Sequence, residues 1–396
     1  MIRQKKIKTS DISFHGIKVN LDKSSGSYVY DDNTGREYLD FFGMYSSQAL
    51  GYNHPSFSTA EFKKEVIKAA TVKVCNCEMS TEIYESFVED FSNFAIPEQY
   101  TGVHFACTGG LAVEGAIKTA LYHMLSKGLR GDLPIISFKK SFHGITSYGN
   151  FTTDRVGPAG KRLNGYPDMN WPKANSVSHL KDIIESGLKV GAVILEPIQC
   201  TSGDKHISLE DLDNIRQITS QHKIPLIFDE VQTGFCATGN VWFFQKLSWS
   251  PDIVVFGKKS QVSGFFVKEG FDQIFNSNEA GRLCITFDGD IIDMVRCKNI
   301  IRVINHDDLL SNVRNREQQI MSHILQIPGI INPRSAGLLI GFDLKDRKTR
   351  DTFVRDLSNI GMICNPTGEK SVRMRPSLSV TESEISHAMS LVREAI

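Results

Sequence analysis

The sequence predicts an α/β protein: a mostly parallel sheet with helices on both faces, flanked by a smaller α+β lobe drawn from both chain ends. Three observations lead there. Between about residues 100 and 290, short apolar runs alternate with longer amphipathic ones, the pattern of strands joined by crossover helices. Before and after that stretch the pattern changes to hairpin and short-strand signals. The chain is 396 residues long, more than a single core usually serves. The expected division is residues 1–50 for the N-terminal part of the small lobe, 51–290 for the large domain and 291–396 for the C-terminal part of the small lobe.

Each element has its own signal. Ser27–Tyr30 and Arg36–Phe42 flank Asp31-Asp32-Asn33-Thr34-Gly35, an Asn/Gly-rich break that reads as a hairpin. Val103–Ala106 reads as a strand, and Leu111–Tyr122 as a helix with apolar residues at 113, 116, 117, 120 and 121. Strands follow at Pro134–Phe138, Val190–Leu195, Pro225–Phe228 and Ile253–Phe256, with a helix at Ser178–Ser186. Ser208 and Asp211 mark a further helix start. A helix near Asp290–Asn305 leads away from the sheet. Leu338–Leu344, Met362–Pro366 and Ser371–Arg375 read as short strands, and Thr381 with Glu384 as a capping box for the last helix.

Bulk properties exclude several function classes. Forty-five basic residues balance 45 acidic ones, so no net field points to nucleic acid or an anionic membrane. The longest apolar runs are strand-length and too short to span a bilayer. Met1–Ser10 is charged and lacks the apolar core of a secretory signal. Eight cysteines are scattered at 75, 77, 107, 200, 236, 284, 297 and 364. Cys75 and Cys77 are too close for a CxxC pair, and no His/Cys cluster follows at zinc spacing. The expectation is reduced, mostly buried thiols in a cytoplasmic protein, with no metal site.

Four segments place reactive residues at strand ends, where parallel sheets bind ligands. Gly109-Gly110 sits between a strand and a helix start, where free N–H groups and the helix dipole favour an anion; a plain turn would look the same. Leu226-Ile227-Phe228 delivers Asp229 at a strand end, as a partner for a cation or as a solvated acid. Ile253–Phe256 delivers Gly257 and then Lys258, with Lys259 read as a solvated loop lysine. A lysine desolvated at a buried strand end has a lowered pKa, which suits Schiff-base chemistry. Ser141-Phe142-His143-Gly144 offers a ring to stack on a flat cofactor, or a core Phe beside a satisfied His. Together, the order and spacing of the four match the needs of pyridoxal phosphate: phosphate turn, stacking ring, acid for a ring nitrogen, and a lysine beyond it.

With those motifs, and with Glu196-Pro197-Ile198-Gln199, Asp229–Gly234, Pro251–Lys259 and Gln261-Val262-Ser263-Gly264, the chain from about residue 20 to the end resembles the class III (ω-amino acid) aminotransferases, and within them lysine 6-aminotransferase. The resemblance implies the fold-type I architecture with a seven-stranded sheet, a pyridoxal 5'-phosphate cofactor and a homodimer with active sites at its interface. It implies that the Gly109 and Gly110 amides bind the phosphate. Phe142 stacks on the ring with His143 beside it, and Val231 packs on the other face. Asp229 keeps the ring nitrogen protonated and Gln232 lies near the ring hydroxyl. Lys258 carries the cofactor as a Schiff base, and Thr286 reaches the phosphate of the neighbouring subunit. Arg373 grips a substrate carboxylate, with Arg375 as the alternative, and Glu196 pairs with that arginine when no carboxylate is there.

Two departures stand out. Ile145 follows Phe142-His143-Gly144 where the lysine enzymes tend to carry an arginine, and Asp288-Gly289 replaces a glycine pair after Thr286. The implied activity is transfer of an amino group from an ω-amine or diamino acid to 2-oxoglutarate by a ping-pong mechanism. Ornithine, 4-aminobutyrate, a diamine or a β-amino acid remain open as donors. So do an aminomutase, epimerase or decarboxylase on the same cofactor, and a binding protein on the old fold. Donor choice is expected to fall on Phe41–Ser46 and the loop after Gly144.

Overall fold

The large sheet comprises β1 (Tyr100–Ala106), β2 (Ile135–Phe138), β3 (Lys173–Ala174), β4 (Ala192–Leu195), β5 (Leu226–Asp229), β6 (Ile253–Phe256) and β7 (Ser263–Lys268). The computed structural model describes residues 14–154, 169–276 and 278–396. Strand order is β1-β7-β6-β5-β4-β2-β3. Pairings from β6 to β3 are parallel, and only β7 runs antiparallel to its neighbours β6 and β1. The seven-stranded, mostly parallel sheet expected from the resemblance is therefore present.

Every residue of β2, β4, β5 and β6 is buried, because both faces are covered. Alternate residues feed two cores. Val193, Leu195, Leu226, Phe228, Val254 and Phe256 join the core that includes helices Val177–Glu185 and Leu209–Gln221. Ile194, Ile227, Ile253 and Val255 face the core built on Val113, Ala116, Ile117 and Ala120 of helix Gly109–Ser126. This is the period-two geometry of a strand inserted between two helical layers. Each such side chain contributes about 1.5–3 kcal/mol by burial, so a single charge at Val255 would break the β5–β6 pair that carries the site.

At the chain ends, Tyr28–Asp31 and Arg36–Asp40 form the predicted hairpin. Arg36–Asp40 then pairs in parallel with Met362–Ile363, which ties the N-terminal lobe to the C-terminal one. The strand expected at Met362–Pro366 is split: Met362–Ile363 joins the hairpin, while Asn365–Thr367 forms the edge of a separate four-stranded sheet. Pro366 lacks an N–H and is tolerated at such an edge. The capping box of the last helix is complete, with Thr381 N–H donating to Glu384 at 2.7 Å and Glu384 N–H to Thr381 Oγ1 at 3.2 Å. At Ser208 only the forward half forms, from Asp211 N–H. Among the described residues no helix is long and apolar enough to cross a membrane.

Candidate active site

β5 ends on Asp229, 6% exposed. Strand alternation separates it from its neighbour Glu230, which turns away to accept the Phe243 and Phe244 N–H groups. Burial pushes the Glu230 carboxyl up to about 7. Asp229 instead faces a cavity of about 220 Å³. Its Oδ1 accepts the Val231 N–H at 3.1 Å, and its Oδ2 lies 2.8 Å from His143 Nδ1. An ionised Asp229 makes Nδ1 the donor. His143 Nε2 is then the acceptor nitrogen, buried with no hydrogen-bond partner among the described residues. The sequence placed His143 beside the stacking ring; the structure sets it against the carboxylate of Asp229.

β6 leads to Lys258, whose backbone lies in the left-handed region at φ 56°. A non-glycine residue there carries strain of order 1–3 kcal/mol, a feature concentrated at functional sites. Lys258 lines the same cavity. Burial pulls its amine below the ordinary lysine range; Arg373 adds to the fall, while Cys200, Asp229 and Glu196 oppose it. A lysine so shifted gives up its proton more readily than a solvated one.

Lys259 corrects an expectation. It is not solvated but 2% exposed. Its ammonium donates to the carbonyls of Gln48 at 2.8 Å and Pro376 at 3.4 Å. Burial, reinforced by Arg375, brings its pKa down to about 7. The chain reverses after this pair through Gln261, also left-handed at φ 62°. The two lysines therefore leave the turn in different directions, one into the cavity and one into a bonded slot beneath the small lobe.

The cavity mouth on the β1 side is the start of helix Gly109–Ser126, capped by Thr108. A Cβ on Gly109 would sit 3.2 Å from Val231 Cγ1, and one on Gly110 would sit 3.2 Å from Thr146 Oγ1. Glycine thus keeps the backbone amides open to a ligand. Phe142 and Val231 both line the cavity. Glu196, 7% exposed, accepts the Phe142 N–H at 2.8 Å and so holds that segment in place. Burial, then the nearby Asp229, raises the Glu196 carboxyl to about 8. Gln232 Oε1 accepts from Arg375 Nε at 3.2 Å, and Arg375 is itself ion-paired with Asp204 in full burial.

Nine predicted residues thus meet at one cavity: Gly109, Gly110, Phe142, His143, Glu196, Asp229, Val231, Gln232 and Lys258. Two do not. Arg373 lies in the wall of an adjoining cleft, where its Nη1 donates to the Cys200 carbonyl at 3.1 Å and its guanidinium stands over the Tyr45 ring at 5.4 Å. The expected Glu196–Arg373 pair is not formed here, because each has another partner. Thr286 does not line that cavity and is exposed on this chain. Arg375, the alternative carboxylate grip, is committed to Asp204 and Gln232. Two further lining residues follow β4: Ile198, inside the Glu196–Gln199 tract but given no role there, and Thr201, which gave no sequence signal; neither did the Asp204 that anchors Arg375.

The comparisons with known proteins agree with this geometry. Residues 10–396 match the family described as aminotransferase class-III. The L-lysine-epsilon aminotransferase of Mycobacterium tuberculosis is 30% identical over 96% of this chain and 92% of its own. The 4-aminobutyrate aminotransferase of Kluyveromyces lactis is also 30% identical, over 91% of this chain and 86% of its own. The solved lysine aminotransferase from M. tuberculosis superposes with a TM-score of 0.89, covering 98% of this chain and 96% of that one at 30% identity. The ornithine aminotransferase of Toxoplasma gondii, at 21% identity and a TM-score of 0.85 over 96% of this chain and 90% of its own, shares the fold.

Proposed function

Because the chain belongs to the class-III aminotransferases, which are pyridoxal-phosphate-dependent transaminases, we propose that it moves the terminal amino group of a lysine-like diamino acid to 2-oxoglutarate, in two half-reactions on one site. The observation that carries this reading is the meeting of Lys258, Asp229 and the Gly109-Gly110 turn around one cavity, with Arg373 in the next wall.

The residues present fit the cofactor. The Gly109 and Gly110 amides at the head of an 18-residue helix suit its phosphate. Phe142 and Val231 suit the two faces of its ring, and Gln232 its hydroxyl. The buried carboxylate of Asp229, steadied by His143 and the Val231 N–H, suits a protonated ring nitrogen. When bound, pyridoxal phosphate supplies a carbonyl for the donor amine and an electron sink for the carbon that loses a proton. Lys258, with its lowered pKa, is placed to take that proton as a neutral amine and return it. Arg373 offers a planar two-pronged donor to a carboxylate. Glu196 is available to pair with it once the Phe142 N–H or the Cys200 carbonyl is given up, which is how one pocket would take a distal amine first and a dicarboxylate second.

The exposed Thr286 supports a homodimer in which this residue reaches the partner's phosphate. A cytoplasmic location belongs to the same reading, supported by eight free cysteines. One observation favours a second donor class. Ile145 is 67% exposed at the position of the family's arginine, which suits an amine without a carboxylate there, such as a diamine. A single-turnover panel of L-lysine, L-ornithine, 4-aminobutyrate and 1,5-diaminopentane, followed by the cofactor absorbance, separates them. Fastest bleaching by lysine supports the first reading. Fastest bleaching by the diamine replaces it with the second, and bleaching by none removes both.

A further inference from the structure

Away from the cavity, Cys77, Cys284 and Asp288 converge from segments some two hundred residues apart in the chain, and their donor atoms all lie within 4.8 Å of one another. Cys75 adds a fourth donor, its Sγ 3.6 Å from that of Cys77. A tetrahedral zinc site with Zn–S bonds of about 2.3 Å has donor–donor edges of about 3.8 Å. The Cys75–Cys77 edge is close to that, the other three donors lie within 4.8 Å of one another, and the set of four closes if Cys75 turns toward Cys284 and Asp288.

The surrounding backbone holds these donors in place. The Cys75 carbonyl accepts the N–H groups of Glu78 and Met79, both at 3.0 Å, which closes the Cys75–Cys77 turn. Asn76, buried between the two cysteines, donates to the Asp288 carbonyl at 3.2 Å and so ties that turn to the second segment. The Asp288 carboxylate accepts the Ile285 N–H at 3.2 Å and lies 3.9 Å from His104 Nε2. Three thiols and a carboxylate, each supported by its own neighbours, resemble a preorganised ligand shell. Thiolate-rich sets select thiophilic metals, and with a carboxylate completing four donors the choice is zinc.

We propose that Cys75, Cys77, Cys284 and Asp288 form a structural binding site for a thiophilic divalent cation of the zinc class. Binding releases the thiol protons to solvent, and the charge of the metal offsets the repulsion among the thiolates so formed and the Asp288 carboxylate. The site brackets Thr286, two residues from Cys284 and two from Asp288. A metal there would fix the 284–288 loop in one shape. Only a bearing of that loop on a partner's phosphate rests on the reading of Thr286 above; the metal site does not.

The test uses holoenzyme purified under reducing conditions without chelator. Metal analysis is expected to find one zinc per chain, or one taken up when Zn²⁺ is added and the excess removed. Co²⁺ in its place should give the thiolate charge-transfer and tetrahedral bands in the wild-type protein, a readout independent of any variant. The double variant Cys77→Ser, Cys284→Ser should lose more than ~10-fold in metal affinity while keeping its cofactor absorbance. Three results overturn the proposal: no metal retained by reduced wild type with no Co²⁺–thiolate bands, equal metal content in the double variant, or a disulfide among these cysteines in protein from reducing cells. Cofactor content is measured in the same samples, so failure of the cofactor reading is seen separately.

Discussion

The floor of the cavity and its outer wall are built differently. The floor hangs on strands: Asp229 is the last residue of β5 and Lys258 the second residue beyond β6, adjacent parallel strands with every residue buried. The wall is turn: Gly43, Met44, Tyr45 and Ser46 all have positive φ, between 47° and 76°. A Cβ on Gly43 would come within 2.0 Å of the Arg375 carbonyl oxygen, so only glycine permits that approach. The turn carries Tyr45 over Arg373. The difference teaches that groups for bond-making sit within two residues of the buried sheet, even where, as at Lys258, the backbone itself is strained. Groups for choosing a substrate ride on strained irregular backbone, where a substitution shifts preference without dismantling the sheet.

Five substitutions probe that division, the largest effect first. Lys258→Ala is expected to lower transamination by ~10²–10⁴-fold or more, as loss of a proton-transfer group does, with little change in melting temperature. Lys259→Met should do the reverse. It keeps most of the rate but costs about 1–3 kcal/mol in denaturant unfolding, because the Gln48 and Pro376 carbonyls lose a charged donor. Comparable rate losses in both would erase the distinction between the two lysines.

Arg373→Lys follows. A single ammonium cannot reproduce a forked guanidinium, so KM for 2-oxoglutarate should rise by about tenfold, equivalent to about 1.4 kcal/mol, with kcat less affected. An unchanged KM for the dicarboxylate would remove Arg373 from the wall's function.

Glu196 tests the boundary between floor and wall through pH. Its carboxyl is raised in the folded protein from 4.5 to about 8, so the folded state holds a proton between those values that the unfolded chain has lost. Stability should therefore fall as pH rises through that window, with a limiting slope of about 1.4 kcal/mol for each pH step of one. Glu196→Gln should flatten that slope in cofactor-free protein. A slope unchanged by the substitution would show that Glu196 already ionises in the fold.

The smallest effect concerns the rim. Ile145→Arg should raise relative activity toward a carboxylate-bearing donor over a diamine by a few-fold, about 1 kcal/mol or less, as expected of an exposed charge pair. Donor ratios measured in competition would reveal it, and no change would place donor choice elsewhere, with Tyr45 the next residue to test.

These regions are unequally legible in the sequence. The floor can be read because buried parallel strands are short unbroken apolar runs with polar residues at or just past their ends, as Leu226–Phe228 runs into Asp229 and Ile253–Phe256 into Gly257-Lys258. β7 is not legible as a strand: it follows β6 after a left-handed turn at Lys258 and Gln261 that has no sequence signature. Glu230 cannot be told from Asp229 by composition, though strand alternation puts them on opposite sides. The thiol cluster is hidden because spacing rules look for ligands near one another in sequence, and Cys77 meets Cys284 only through the fold. Half of the eight cysteines are not buried, contrary to the mostly buried thiols expected.

Everything proposed for the site depends on one covalent assignment, and one measurement reaches it directly. Holoenzyme is reduced with borohydride, digested, and the pyridoxyl-modified peptide sequenced by mass spectrometry. The cofactor mass should appear on Lys258 alone. Modification of Lys259, or of no lysine in protein that retains the cofactor absorbance, would contradict that assignment.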